Sequence, residues 1–366
     1  MLRYFVALII LIHGLIHFMG FSKAFGYGNI QQLTKFISRP VGILWLSAAV
    51  LFIISAILFA VKKDSWWMVG IPAVLLSQVL LILAWHDAKY GTVINIILLI
   101  ICIVSYAAWD FNRMVKKEVA ALLEQPFKQT GFVSNEMISK LPPVVQKWMQ
   151  HAGVVGKPII QTVRLKQHGM MLTKPGGKWM DFTANQYFST GKPAFNWQVK
   201  VNVMPLIYLT GRDKYENGKG EMLIRLLFLK TIVDSKGSPE IDQGTLLRYL
   251  SEMSWFPSAA LSDYITWEAI DDHAAKATMS YNNITASGIF FFNERSDVIG
   301  FEAMRYGEFN GKASLEKWHI ESKDFKDFDG IRIPGKSEVT WKLKDGDFTW
   351  LKVELLTVEF NKSEPF

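Results

Sequence analysis

The sequence predicts an α-helical membrane domain of four spans followed by a mainly antiparallel β domain, a curved sheet or incomplete barrel with one leading and one inserted helix. Three observations carry that expectation. The first part of the chain holds four long apolar runs free of Asp, Glu, Lys and Arg. Beyond them, apolar and polar residues alternate in short stretches separated by turn dipeptides such as Asn217-Gly218, Asp329-Gly330 and Asp345-Gly346. The composition changes near Asp110–Lys117, and the expected boundaries are 1–112 for the transmembrane domain, 113–133 for a linker and 134–366 for the β-rich domain.

A helix needs about 20 apolar residues to cross the hydrocarbon core of a bilayer. The four runs are Tyr4–Ser22, Val41–Val61, Trp66–Trp85 and Val93–Trp109. Tyr4, Trp66, Trp67, Trp85 and Trp109 sit near their ends, as an interfacial belt requires. Pro72 would kink the third run, which membrane helices tolerate. The first run is as long as a span, and bulky Phe18, Met19 and Phe21 stand where a cleavage site would need small residues, so it reads as a retained span. One set of short loops carries Arg3, Lys62, Lys63, Arg113, Lys116 and Lys117, and the other carries Lys23, Lys35, Arg39 and Lys89. The excess favours an N-terminus inside, and an even number of spans puts the β domain there too. The expected location is thus a multi-pass protein of the cell (inner) membrane with its β domain on the cytoplasmic side.

Lysines and arginines flanking spans supply part of the formal charge of +7, and nucleic acid is not an expected partner. A single cysteine, Cys102, excludes an intramolecular disulfide. Within the first span, His13 and His17 lie four apart and share one helix face. Ionisable residues in a membrane point to function, and the pair could ligate a metal or haem or relay protons. Alternatively they are neutral imidazoles bonded to a neighbouring helix, for example to Ser77 or Gln78, and no other span supplies a clear third metal ligand. Gly14 and Gly20 suit close helix contact. His86 and Asp87 mark the turn between the third and fourth spans.

In the β domain, Ser134–Gln150 reads as turn and capping residues followed by a helix with an apolar stripe of Leu141, Val144, Val145, Trp148 and Met149, ended by Gly153. The clearest strand is Phe195–Val203, in which Phe195, Trp197, Val199, Val201 and Val203 face one way and Asn196, Gln198, Lys200 and Asn202 the other. Further strands are expected at Gln161–Leu172, Lys178–Phe188, Leu206–Tyr215, Glu221–Val233, Tyr264–Ile270, Ala274–Tyr281, Ile284–Phe292, Val298–Tyr306, Leu315–Ser322, Ile331–Leu343 and Phe348–Phe360. One helix interrupts them at Ser238–Trp255, with Leu246, Leu247, Leu250 and Met253 at helical spacing and Pro257 just beyond. Such curved sheets often wrap an apolar cavity.

No nucleotide-binding loop, nucleophile elbow, zinc-protease pair or paired-cysteine site is present, and the reading leans away from an enzyme and implies no cofactor. His151, His168, His273 and His319 are scattered, with no spacing that links them to a carboxylate or serine. Polar residues gather around the inserted helix: Arg212, Asp213, Asp234, Asp242, Arg248, Tyr249 and Glu252. Arg248 and Glu252, four apart, could simply pair. Trp197, Arg212, Arg248, Tyr249 and Trp341 are the candidate ligand contacts, and His13 and His17 the candidate metal ligands.

Two sets of motifs carry a resemblance. His13-Gly14-Leu15-Ile16-His17, Ser38-Arg39-Pro40 and Asp87-Ala88-Lys89-Tyr90-Gly91-Thr92 resemble a family of bacterial four-span membrane proteins. Leu141-Pro142-Pro143-Val144, Phe182-Thr183-Ala184-Asn185-Gln186, Gly211-Arg212-Asp213, Asp242-Gln243-Gly244 with Arg248-Tyr249-Leu250, and Trp255-Phe256-Pro257 resemble a domain of unknown function found alone or with such spans. The resemblance implies no activity. On element order alone, the β domain is also similar to the lipoprotein-carrier (LolA-like) half-barrels, which combine a leading helix, about eleven strands and helices plugging a greasy cavity. Phe195, Trp197, Trp341 and Trp350 would give such a cavity an aromatic wall. The expected role is a membrane-tethered domain that binds a lipid or another apolar ligand, with the bilayer as its other partner. The alternatives are a structural or signalling protein that binds a protein partner, and a metal or haem protein using the histidine pair.

Overall fold

Apolar side chains turn outward in the first part of the chain and inward in the second, and the two parts form separate units, Met1–Arg113 and Met114–Phe366. The computed structural model describes residues 2–124, 131–309 and 311–366.

The first unit is helical: α1 (Leu2–Ile16), α2 (Phe18–Phe25), α3 (Arg39–Ala60), α4 (Trp67–Leu83), α5 (Trp85–Ala88) and α6 (Gly91–Leu123), the last running on into the second unit. Among the described residues, three stretches are long and apolar enough to cross a membrane, Leu2–Phe25, Arg39–Ala60 and Gly91–Leu123. The third expected span is shorter, because α4 holds 17 residues between turns at its two ends, and Pro72 lies inside it. A Cβ added at Gly14 would lie 2.7 Å from Phe52 Cβ, and one at Gly20 2.1 Å from the Trp45 ring. Gly14 therefore lets α1, and Gly20 lets α2, come close to α3. Of the expected linker 113–133, residues up to Leu123 continue α6, and residues 125–130 lie outside those described.

The second unit opens with α7 (Asn135–Ile138) and α8 (Pro143–His151). Ser134 caps α7 by accepting from Met137 N–H, and Pro142-Pro143 separates the two helices, since proline suits a first turn and not an interior. Val144, Val145, Trp148 and Met149 are buried, and Trp148 stacks on Phe290 at 6.2 Å. Thirteen strands follow: β1 (Thr162–Met171), β2 (Met180–Ser189), β3 (Ala194–Met204), β4 (Ile207–Glu216), β5 (Lys219–Leu226), β6 (Lys230–Lys236), β7 (Ile265–Asp271), β8 (Ala274–Tyr281), β9 (Ile284–Phe292), β10 (Val298–Phe309), β11 (Lys312–Phe328), β12 (Ile331–Leu343) and β13 (Gly346–Phe360). The stretch Glu221–Val233, expected as one strand, contributes to two. The chain turns at Leu227 and Phe228, whose φ values of 51° and 64° are left-handed. Large apolar residues rarely adopt that region, so no turn residue marks the break.

The strands form one antiparallel sheet, ordered β6-β5-β4-β3-β2-β1-β13-β12-β11-β10-β9-β8-β7. Two meanders meet where β1 pairs with β13, and β6 and β7 are the edges. Between the meanders lies α9 (Pro239–Glu252), capped by Ser238, whose hydroxyl accepts from Ile241 N–H. It packs against β4, β5 and β6 on one side and β8, β9 and β10 on the other. Strands from opposite arms can reach one helix only if the sheet curls round it, as expected of an incomplete barrel. Leu246, Leu247, Leu250 and Met253 point into the core with Phe188, Phe256 and Phe290.

One buried ion pair ties the leading helix to this sheet. Arg332 on β12 donates to both carboxylate oxygens of Asp297 at 2.8 and 3.3 Å, and His151 Nε2 lies 3.1 Å from Oδ1. Burial works against the charge on Asp297, but the bonds from Arg332 and Asn293 prevail and hold its carboxyl below the usual range. A depressed carboxyl stabilises the fold above its unfolded value, near pH 4, and loses that contribution as pH falls through the folded value. Asp297→Asn should therefore cost about 2–4 kcal/mol at neutral pH, with the penalty shrinking in acid. Unfolding followed by tryptophan fluorescence at several pH values measures it; a penalty that stays constant into acid would refute the assignment.

Candidate functional site

The core fills only part of the curled sheet. On the other face of α9 the sheet encloses a cavity of about 1420 Å³. Strand alternation builds its walls from Trp197, Val199 and Val201 of β3, Val339 and Trp341 of β12 and Val353 of β13, and Trp350 joins them from the irregularity in β13 where the pairing register with β12 shifts. The lining extends to the β1–β2 turn at Lys174-Pro175 and the β12–β13 turn at Lys344-Asp345.

The face that α9 turns to this cavity is polar, with Thr245, Arg248, Ser251 and Glu252. Arg248 Nη1 donates to Asp213 Oδ2 on β4 and Nε donates to Glu252 Oε1, both at 2.8 Å. Its guanidinium also lies over the Trp197 ring at 4.7 Å. Glu252 Oε2 accepts from Gln186 Nε2 at 2.8 Å, Gln186 Oε1 accepts from Gln167 Nε2 at 3.2 Å, and Gln167 Oε1 accepts from Trp197 Nε1 at 2.8 Å. A chain of hydrogen bonds thus runs from the helix across β2 and β1 to β3. Burial pushes the carboxyls of Asp213 and Glu252 above their usual range, with Arg248 pulling against it. Burial also works against the charge on Arg248, but Glu252 and Asp213 outweigh it and hold its proton more firmly than usual.

A second arginine, Arg305 of β10, faces the cavity. Its guanidinium lies over Trp318 at 4.6 Å and Trp341 at 5.8 Å. Burial, with the like charge of Arg248, lowers its pKa to about 10, so it remains charged at neutral pH. The sequence reading did not single it out. Its signal was there, in Phe301, Ala303, Arg305, Gly307 and Phe309, which share one phase of the strand and place a cation among inward-facing residues.

Of the five candidate ligand contacts, Trp197, Arg248 and Trp341 line the cavity, and Tyr249 and Arg212 do not. Tyr249 is one step round the helix from Arg248 and lies in the core, its hydroxyl 3.1 Å from Ser189 O and 3.2 Å from Tyr264 Oη. Arg212 precedes inward-facing Asp213, so strand alternation puts it on the outer face of β4. There it pairs with Glu118 at 3.3 Å and Glu221 at 3.0 Å. Glu118, in the last turns of α6, also accepts from Asn196 Nδ2 at 2.9 Å. Of the expected aromatic wall, Trp197, Trp341 and Trp350 line the cavity, and Phe195 lies in the core. Asp242 binds Gly220 N–H and Lys219 Nζ, both at 2.8 Å, and pins the start of α9 to β5. The scattered histidines, which no sequence spacing links to a carboxylate, each meet one in the fold: Asp297 for His151, Glu354 for His168, Glu294 for His273 and Glu302 for His319. Asp297 and Glu354 lie 146 and 186 residues along the chain from their histidines, beyond the reach of sequence spacing.

His13 and His17 are buried in the helical unit. His13 Nε2 lies 2.9 Å from Asn95 Oδ1, His17 Nδ1 donates to His13 O at 2.8 Å, and His17 Nε2 lies 2.9 Å from Ser77 Oγ. Asn95 Nδ2 also donates to Gln78 Oε1 at 3.1 Å. Both rings are thus bonded to neutral groups, and among the described residues no group of three or more His, Cys, Asp or Glu is placed to hold a metal.

Residues 131–353 match a family of unknown function (DUF6544). The chain belongs to this family. No curated protein matches it. Among solved structures, the chain is similar to a LolA superfamily protein from Nitrosomonas europaea (10% identity, TM-score 0.35, covering 60% of this chain and 94% of that one). It is also similar to an outer membrane lipoprotein-sorting protein domain from Vibrio parahaemolyticus (8% identity, TM-score 0.37, 61% and 93% covered). A third is a DUF1329 family protein from Desulfovibrio piger (10% identity, TM-score 0.32, 63% and 94% covered).

Asp213 and Glu252 depend on Arg248 as their common counter-ion. Arg248→Met should therefore cost about 3–5 kcal/mol, because it strands two buried carboxylates. Adding Asp213→Asn and Glu252→Gln to that variant should restore most of the loss, as read from thermal unfolding in detergent. A triple variant no more stable than the single one would refute the coupling.

Proposed function

We propose that this is an integral membrane protein with four spans whose β domain binds a lipid or another apolar ligand in the cavity of its curled sheet. The observation that carries the reading is the pairing of a cavity of about 1420 Å³ with walls of tryptophan and aliphatic side chains. Ligand sites combine apolar walls with a few placed polar groups. Here the walls come from the strands and the polar groups from one face of α9.

The membrane assignment rests on the inside-out distribution in the helical unit. Phe5, Leu8, Ile57, Ile82 and Ile100 are exposed, whereas His13, His17, Ser77 and Asn95 are buried. That arrangement suits hydrocarbon, where buried polar groups bond to one another and apolar surface has no penalty. With its 17 residues, α4 spans about 26 Å at the helical rise, close to the thickness of the core, and serves as the fourth span.

The ligand reading can be tested on the full chain in nanodiscs with hexadecanol carrying a diazirine. Irradiation should attach the probe to cavity residues such as Val199, Val339 and Val353, identified by peptide mass spectrometry. Trp341→Glu and the more peripheral Leu209→Glu should each abolish that labelling while leaving the circular dichroism unchanged. Labelling confined to the helical unit, or undiminished in both folded variants, would sink the proposal. The loop charges put the β domain on the cytoplasmic side. A cysteine at exposed position Ser139, in right-side-out vesicles, should then react with a membrane-impermeant maleimide only after the vesicles are opened; immediate reaction would reverse the assignment.

A further inference from the structure

The polar groups at the α9 end of the cavity are unevenly matched. Arg248 is held by two carboxylates, Asp213 and Glu252. Arg305, on the same cavity, has neither an ion pair nor a hydrogen bond among the described residues, and its Nε is buried without a partner. It rests on the faces of Trp318 and Trp341, and the carboxylates of Asp213 and Glu252 favour its charge only through space. Beside it, α9 offers Gly244, where an added Cβ would lie 3.6 Å from Arg305 Nε, so the helix places no side chain against the guanidinium. The other buried polar atoms left without partners on these walls are the indole N–H groups of Trp318 and Trp350. All three are donors. A half-buried cation with no anion in contact, and unused donors at a cavity wall, call for an acceptor.

On the ligand-binding reading of this cavity, we infer that the ligand is a single-chain amphiphile with an acidic head, and that its oxyanion pairs with Arg305 at the foot of the cavity beside α9. The apolar walls of β3, β12 and β13 take the chain, which runs towards the β1–β2 and β12–β13 turns. A guanidinium offers several N–H donors in one plane and matches a carboxylate or phosphate oxyanion in two-point contact. Asp213 and Glu252 attract Arg305 from a distance, but their direct bonds go to Arg248 and leave its donors unused. An uncharged chain of the same length fills the walls but leaves Arg305 as it is. Two-chain lipids do not fit this orientation, because the head goes in first.

The test compares three diazirine-bearing probes on the full chain in phosphatidylcholine nanodiscs: hexadecanoic acid, hexadecyl phosphate and hexadecanol. Half-maximal labelling of the cavity should need about tenfold less of an acidic probe than of the alcohol, the scale of one charge-assisted hydrogen bond. A preference for the carboxylic acid or for the phosphate identifies which head the site takes, and either supports the inference. A diazirine at the far end of the acid should mark Leu172 or Leu343, near the turns. Arg305→Gln should remove the acid preference and leave labelling by the alcohol intact, whereas Arg305→Lys should keep part of the preference. Equal labelling by acid and alcohol in the unaltered chain would overturn the inference while leaving the apolar cavity reading standing, and it needs no variant to fold. Labelling of the cavity by none of the three would overturn the reading on which it rests.

Discussion

The β unit depends on how a charged helix is held inside a sheet. Arg248 is set deep in the cavity with little of its side chain exposed, so its charge is met mainly by neighbours, Glu252 one turn away and Asp213 on β4. That requirement fixes the rotation of α9. With Arg248 turned to the cavity, the helical period turns Leu246, Leu247, Leu250 and Met253 to the opposite side, where they complete the core with Phe188 and Phe290. Asp242 fixes the other end by accepting from Gly220 and Lys219 on β5. One helix therefore does two things. Its apolar face closes off a dry core, and its polar face leaves the rest of the sheet's interior open.

Much of this architecture is legible in the sequence because it follows from local rules. The alternation from Phe195 to Val203 gives a strand with one inward face, and the leucines of Ser238–Trp255 give the inserted helix. The extra strand escaped notice because Leu227 and Phe228 make a turn without a turn residue. The candidate site was legible in part. Trp197, Trp341 and Arg248 could be chosen from their aromatic or helical setting. Arg212 and Tyr249 were chosen with their neighbours, although in a strand or helix adjacent residues point different ways. The roles of Gln167 and Gln186 come from bonds made across paired strands, which register decides and composition does not, and the phase of its strand turns Arg305 inward without marking which partners it meets.

The two units solve opposite problems with the same chemistry. In the helical unit, His13, His17, Ser77, Gln78 and Asn95 hydrogen-bond to one another, and the apolar surface lies outside. In the β unit the apolar surface lies inside, and the polar network from Trp197 through Gln167, Gln186 and Glu252 to Arg248 and Asp213 crosses four strands and the helix. Both networks spend nearly all their donors and acceptors internally. Arg305 and the indole N–H groups of Trp318 and Trp350 are the exceptions on the cavity wall.

The sheet also has two free ends. Because β6 and β7 are not paired with each other, no closed ladder fixes its circumference. A sealed barrel has a bore set by its strand number and stagger, and it can widen only by breaking hydrogen bonds. Here the two arms can swing apart or together about the central strands β1 and β13 with every ladder bond kept. Breathing of this kind would let one fold admit chains of different girth, and the contacts of α9 with both arms would set how far it opens.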